Sequence, residues 1–173
     1  MQTKAMPGTG TQAAIEISLA DEAATRRLAA AVAAVARASD VIALSGPLGA
    51  GKTSFARGFV DALGATEEVP SPTFTLVQTY ALAPAAVWHF DLYRLERPTD
   101  AYELGIEDAF DSGISLIEWP ARLGALLPAD RLDVALDFAA GEGTGRIGRL
   151  IGHGAWHARL AAVMAGCAAA GDG

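Results

Sequence analysis

The segment Gly46-Pro47-Leu48-Gly49-Ala50-Gly51-Lys52-Thr53 matches the pattern G-x-x-x-x-G-K-[ST] at every required position. No other feature of the chain constrains its fold as much, because this loop works only between a strand and a helix. Its glycines let the backbone curl so that successive N–H groups point inward at phosphates. Lys52 is placed to reach the β- and γ-phosphates of a nucleotide, and the Thr53 hydroxyl to ligate Mg²⁺. The positive end of the following helix dipole adds to the field. Both flanks are present. Val41-Ile42-Ala43-Leu44 is a continuous apolar run, as in a buried parallel strand, and Thr53 to Leu63 reads as a helix stopped by Gly64. The residues expected to bind the nucleotide are therefore Gly46, Leu48, Gly49, Ala50, Gly51, Lys52, Thr53 and Ser54, with Ser54 outside the phosphate contacts. The expected base is adenine, because guanine recognition in the GTPase manner uses Asn-Lys-x-Asp and this chain has no asparagine.

The rest of the chain supports an α/β reading. Ile15-Glu16-Ile17-Ser18-Leu19 alternates like an edge strand. Asp21 then opens a helix expected through about Ala38, with Leu28, Val32 and Val35 on one face. Further strands are expected over Thr73–Val77, Val87–Tyr93 and Ile114–Ile117. Helical stretches are expected from Pro98 to Leu104, from Glu107 to Phe110 and from Trp156 to Met164. Leu132–Phe138 and Arg146–Ile151 read as a hairpin across Gly141–Gly145. The pattern predicts a P-loop NTPase-like three-layer fold, with a mostly parallel central sheet and an antiparallel edge hairpin.

With 173 residues the chain fits one domain. We place that domain at residues 13–165, between disordered tails at 1–12 and 166–173. No run approaches the roughly 18 apolar residues of a membrane-spanning helix. The polar start does not read as a secretory signal. Cys167 is the single cysteine, so no internal disulfide forms, and the cytoplasm is the expected location. The formal net charge of -7 argues against a broad surface that grips nucleic acid unaided. Lysine occurs only at Lys4 and Lys52, so the one lysine outside the tail sits in the one motif that asks for it.

A phosphate loop binds; hydrolysis or transfer also needs a carboxylate for Mg²⁺ and a group that places the attacking oxygen. Asp91 and Glu118 each follow an apolar strand, at the end where parallel sheets gather ligands. Each also has a plainer reading, as a solvated loop residue or a helix cap. Ser71-Pro72-Thr73-Phe74-Thr75 reads either as a switch that senses a γ-phosphate through a hydroxyl or as an ordinary turn. His153 and His157, four apart with no cysteine close by, read as exposed rather than metal-binding. His89 reads as half-buried beside the site, and Arg94 and Arg97 as phosphate or partner contacts or as surface charge.

Taken in order, the P-loop, Ser71-Pro72-Thr73-Phe74-Thr75-Leu76-Val77, His89-Phe90-Asp91-Leu92-Tyr93-Arg94-Leu95 and Ile117-Glu118-Trp119-Pro120 resemble the TsaE (YjeE) family over about Ile15 to Phe138. That resemblance implies an ATPase needed for threonylcarbamoyladenosine in tRNA. It implies ATP and Mg²⁺ as cofactors, slow hydrolysis, and action with TsaB and TsaD, which the ATPase resets between turnovers. It implies that tRNA is met only through that complex. Thr53 and Glu118 are the implied Mg²⁺ ligands, with Asp91, Glu118 and Lys52 the residues needed for activity. Thr73, Thr75 and Trp119 join the expected nucleotide contacts, and Ser71 to Thr75 is implied to be a switch. Two other readings remain: a small-molecule kinase with an acceptor pocket and a mobile lid, and a nucleotide sensor without turnover.

Overall fold

A computed structural model of the protein describes residues 3–5, 14–66, 72, 74–140 and 143–170. Its strands are β1 (Thr3–Ala5), β2 (Ala14–Leu19), β3 (Val41–Ser45), β4 (Val77–Tyr80), β5 (Val87–Asp91), β6 (Ile114–Glu118), β7 (Leu132–Phe138) and β8 (Arg146–Gly152). Its α-helices are α1 (Glu22–Ala33), α2 (Lys52–Ala62), α3 (Ile106–Ser112) and α4 (Ala155–Ala169), with 3-10 helices at Pro98–Leu104 and Pro120–Leu126. The strands form one sheet in the order β1-β2-β8-β7-β3-β6-β5-β4. The four strands β7, β3, β6 and β5 run parallel. The β7–β8 hairpin is antiparallel, as expected, and so are the pairings that extend the sheet through β2 and β1 on that side and through β4 on the other.

Three layers follow from the burial pattern. The apolar run of β3 is buried along Val41–Leu44, because helices cover both of its faces. On one face α1, α2 and α4 pack Leu28, Val32, Phe55, Phe59, Leu160 and Val163 against the sheet. On the other, α3 and the two 3-10 helices enclose Phe90, Ile117, Ile106 and Leu123. Helices α1 and α2 approach so closely that a Cβ on Gly58 would stand 2.8 Å from Arg26 Cα. This close approach accounts for a glycine in the middle of a helix that would otherwise be weakened by it.

Several boundaries differ from the sequence expectation, each for a local reason. Asp21 caps α1 as expected, its Oδ1 accepting from the Ala24 N–H at 2.7 Å. The helix stops at Ala33 rather than Ala38, since Asp40 accepts from the Arg37 N–H at 2.7 Å and turns the chain into β3. The strand expected over Thr73–Val77 begins only at Val77, because Leu76 adopts φ 62 and breaks the extended run. Ile15–Leu19 is not an edge, being paired on both sides by β1 and β8. The expected tail at 1–12 contains β1, and the expected tail at 166–173 is helical to Ala169, with Cys167 buried against the core.

Candidate functional site

The C-terminal ends of β3, β5 and β6 lie side by side, and the phosphate loop leaves the first of them. Gly46, Gly49 and Gly51 take φ values of 135, 79 and 106, a region that glycine enters without strain. At Gly46 nothing else fits: a Cβ there would stand 2.0 Å from the Leu136 carbonyl oxygen of β7. The loop delivers Lys52 and Thr53 as the first two residues of α2.

Lys52 is only 4% exposed. Its Nζ donates to the carbonyl oxygens of Gly46 at 2.7 Å and Pro47 at 2.9 Å, and lies 4.4 Å from the centre of the Trp119 ring. Burial pushes its pKa below the ordinary 10.5, while the charges of Glu118 and Asp91 pull it back up. The Thr53 hydroxyl donates to Glu118 at 3.1 Å to Oε1 and 3.4 Å to Oε2. Glu118 ends β6 and Asp91 ends β5, in register with each other. Both carboxylates are buried, and Asp91 Oδ1 accepts from the Tyr93 N–H at 3.2 Å.

Just beyond Glu118 the chain turns sharply. Trp119 adopts φ 59, a left-handed conformation uncommon for a bulky residue and of the kind that concentrates at functional sites. Its ring packs at 52° on Tyr93, with centroids 4.9 Å apart, so Tyr93 backs the ring that faces the Lys52 ammonium. Leu48, Gly49, Gly51, Lys52, Thr53, Ser54, Asp91, Tyr93, Arg94, Glu118 and Trp119 line one cavity of about 330 Å³. A second cavity, of about 340 Å³, lies across the loop between Glu22, Thr25, Ala50, Thr144 and Arg146.

The structure thus brings together Lys52, Thr53, Ser54, Asp91, Glu118 and Trp119 with Leu48, Gly49 and Gly51. Ala50 is buried and borders the second cavity, and Gly46 meets the site through its carbonyl. Thr75 is placed elsewhere: it is exposed, and its hydroxyl accepts from Gln78 at 3.0 Å. Ser71 and Thr73 lie outside the described residues. His89, expected to be half-buried, is fully buried and sits 2.8 Å from Glu118 Oε1 through its Nε2. His153, expected to be exposed, is half-buried and 2.7 Å from Asp133, whereas His157 is exposed. Sequence reasoning missed Tyr93, which its position two residues after Asp91 could have signalled. It also missed Arg146, which donates to the Gly49 carbonyl at 3.1 Å from 97 residues away and carries no local signal.

The donor set is suited to a hard cation shared with phosphates. Among the described residues no three His, Cys, Asp or Glu side chains cluster to hold a metal alone. Mg²⁺ held through one carboxylate, a hydroxyl and substrate phosphates needs no such cluster, and Thr53 with Glu118 is a pair that could hold it. No helix among the described residues is long and apolar enough to cross a membrane.

Comparison with known proteins agrees with this architecture. The family model for the threonylcarbamoyl adenosine biosynthesis protein TsaE matches residues 19–146. The chain is 39% identical over 120 residues to the tRNA threonylcarbamoyladenosine biosynthesis protein TsaE of Rickettsia felis, covering 69% of this chain and 70% of that one. It is 38% identical over 119 residues to the TsaE protein of Bacillus subtilis, covering 68% and 74%. The crystal structure of Bacillus subtilis YdiB superposes with a TM-score of 0.75 at 28% identity, over 88% of this chain and 95% of that one. With the family model spanning most of its length and the same fold in a solved relative, the chain belongs to the TsaE family of threonylcarbamoyl adenosine biosynthesis proteins.

Proposed function

We propose that the protein binds ATP with Mg²⁺ and hydrolyses it slowly, in the cytoplasm, to reset a TsaB–TsaD complex between rounds of threonylcarbamoyl adenosine formation. The observation that carries this reading is the convergence of Lys52, Thr53, Asp91 and Glu118 on one cavity at the ends of β3, β5 and β6. Lys52 now donates to carbonyls of its own loop, so the loop holds a cation ready where a polyanion would sit. Phosphate oxygens compete for those donors and draw the ammonium forward. Thr53 and Glu118 would hold Mg²⁺, which would supply a positive charge to offset that of the phosphates. Asp91, one strand over from Glu118, orients the attacking water and takes up its proton. Arg146 and Thr144 border the opposite side of the loop and leave room there for the base.

The partner assignment rests on the family's place in threonylcarbamoyl adenosine biosynthesis. The net charge of -7 fits a protein that meets tRNA through a complex and not by itself. The test is titration with an ATP analogue, followed by ATPase assays with and without TsaB and TsaD. Lys52→Ala should weaken analogue binding by about tenfold to a hundredfold, the worth of one charge-assisted hydrogen-bond site. Unchanged affinity would sink the assignment, and no change in turnover on adding TsaB and TsaD would remove them as partners.

A further inference from the structure

His89 is the most deeply buried polar side chain near the site, with no exposed surface. Side chains alternate along β5, so His89 and Asp91 share one sheet face. In the β5–β6 register His89 stands opposite Leu116, and Asp91 opposite Glu118. His89 is therefore diagonal to Glu118, one step further into the sheet, and its ring is long enough to span that diagonal. The span is closed at 2.8 Å between Nε2 and Glu118 Oε1. The other ring nitrogen, Nδ1, is buried with no hydrogen-bond partner among the described residues.

That asymmetry assigns the tautomer. A proton on a buried Nδ1 with no acceptor would be stranded, whereas a proton on Nε2 has a carboxylate oxygen in reach. His89 is thus a donor to Glu118, and Glu118 Oε1 has two donors, the imidazole at 2.8 Å and the Thr53 hydroxyl at 3.1 Å. The two differ in freedom. Thr53 borders the cavity on the phosphate loop, and its hydroxyl can rotate towards a metal. His89 has no other partner among the described residues.

We propose that His89 is the positioning residue for Glu118: its Nε2–H pins Oε1, which leaves Oε2 for a cation that the Thr53 hydroxyl would share. This deepens the nucleotide reading above and rests on it. Donors that orient a metal-binding carboxylate typically account for a tenfold to hundredfold change in metal affinity.

The experiment is Mn²⁺ binding, followed by electron paramagnetic resonance, to the full chain loaded with a non-hydrolysable ATP analogue. Analogue affinity in excess chelator is measured in parallel. His89→Leu should weaken Mn²⁺ binding tenfold to a hundredfold and leave metal-free analogue affinity within about threefold. His89→Gln, whose amide N–H reaches about as far as Nε2, should restore most of the loss. His89→Asn, whose amide stops near the Nδ1 position, should not, and it carries the test if His89→Leu does not fold. Parent-like Mn²⁺ affinity in the Leu and Asn variants would overturn the inference. So would equal losses of Mn²⁺ and metal-free analogue binding, which mark a merely structural residue. A parent protein that binds no analogue at all would overturn the nucleotide reading itself, and this inference with it.

Discussion

Asp91 and Glu118 face each other in register at the last paired position of two adjacent parallel strands, both nearly buried. Two carboxylates so close would repel if nothing intervened, and the neighbourhood supplies Lys52, Thr53 and His89. Glu118→Gln and Asp91→Asn each keep shape and remove one charge. We expect each to lower ATP turnover about a hundredfold or more, within the range for losing a positioned acid–base or metal group. Melting temperature should move by less than about 4 °C, since a change near 1 kcal/mol shifts a chain of this size by roughly 2–4 °C. Parent-level turnover in both variants would place the chemistry elsewhere.

Lys52 gives two pH trends of opposite sign. Burial lowers its pKa below 10.5, so the ammonium that holds phosphate is lost at lower pH than for an ordinary lysine. Analogue affinity should therefore already fall as pH rises towards 10.5. Stability runs the other way. The unfolded chain holds this proton more tightly than the folded one, so folding is penalised below the lowered pKa. The penalty disappears as pH rises through the window up to 10.5. Other groups titrate there too, Tyr80 among them with its pKa raised by burial, so the quantity to follow is the difference between the parent and Lys52→Met. The stability of the parent relative to Lys52→Met should rise with pH through that window. A constant difference would mean that the lysine is not held in a desolvated position.

Gly46 predicts a large cost for a single methyl group. Its φ of 135 is strained for any other residue, and the added Cβ would collide with the Leu136 carbonyl 2.0 Å away. Gly46→Ala should lower stability by about 3 kcal/mol or more, or roughly 6–12 °C in melting temperature. Gly64→Ala is the control. Its φ of 92 is also left-handed, but nothing lies within 4 Å of the new Cβ, so only backbone strain remains. Equal losses at the two positions would show that the contact with β7 does not matter.

What could be read in the chain, and what could not, divides by range. The phosphate loop, its strand and its helix were legible because their signals are local: three glycines, an apolar run and a helical stretch within 22 or so residues. Asp91 and Glu118 were legible as candidates because each ends an apolar run. The depth of His89 was not, since it depends on which strand lies beside β5 and in what register. The early end of α1 was hidden for a similar reason. Asp40, which turns the chain there, is held by Arg159 at 2.6 and 2.7 Å across 119 residues. The reach of α4 to Ala169 follows from Val163 and Cys167 being buried in the core, which alanine-rich sequence does not announce.

The last prediction concerns the segment before β4. Leu76 is left-handed at φ 62, an uncommon conformation for an apolar residue. Its N–H donates to the Pro72 carbonyl at 2.7 Å, and its own carbonyl accepts from the Asp91 N–H at 3.0 Å. The strained residue is thus tied directly to the backbone of one of the two acids. Two residues earlier, Phe74 is 85% exposed, its ring 5.3 Å from the Arg94 guanidinium, and Arg94 borders the same cavity as Lys52. A γ-phosphate bound in that cavity would draw the Arg94 guanidinium from the ring and act on Asp91 beside it, so both ties to the segment would change together. A ligand shifts such an equilibrium only by its differential affinity, so the response should follow the γ-phosphate and not the base. Amide hydrogen exchange over residues 74–80 should therefore differ between the ADP state and the state with a non-hydrolysable ATP analogue. Exchange in the α4 helix should be the same in both. Leu76→Gly, which relieves the left-handed strain, should narrow the difference. Equal protection of residues 74–80 in the two states, with TsaB and TsaD present, would rule the switch out.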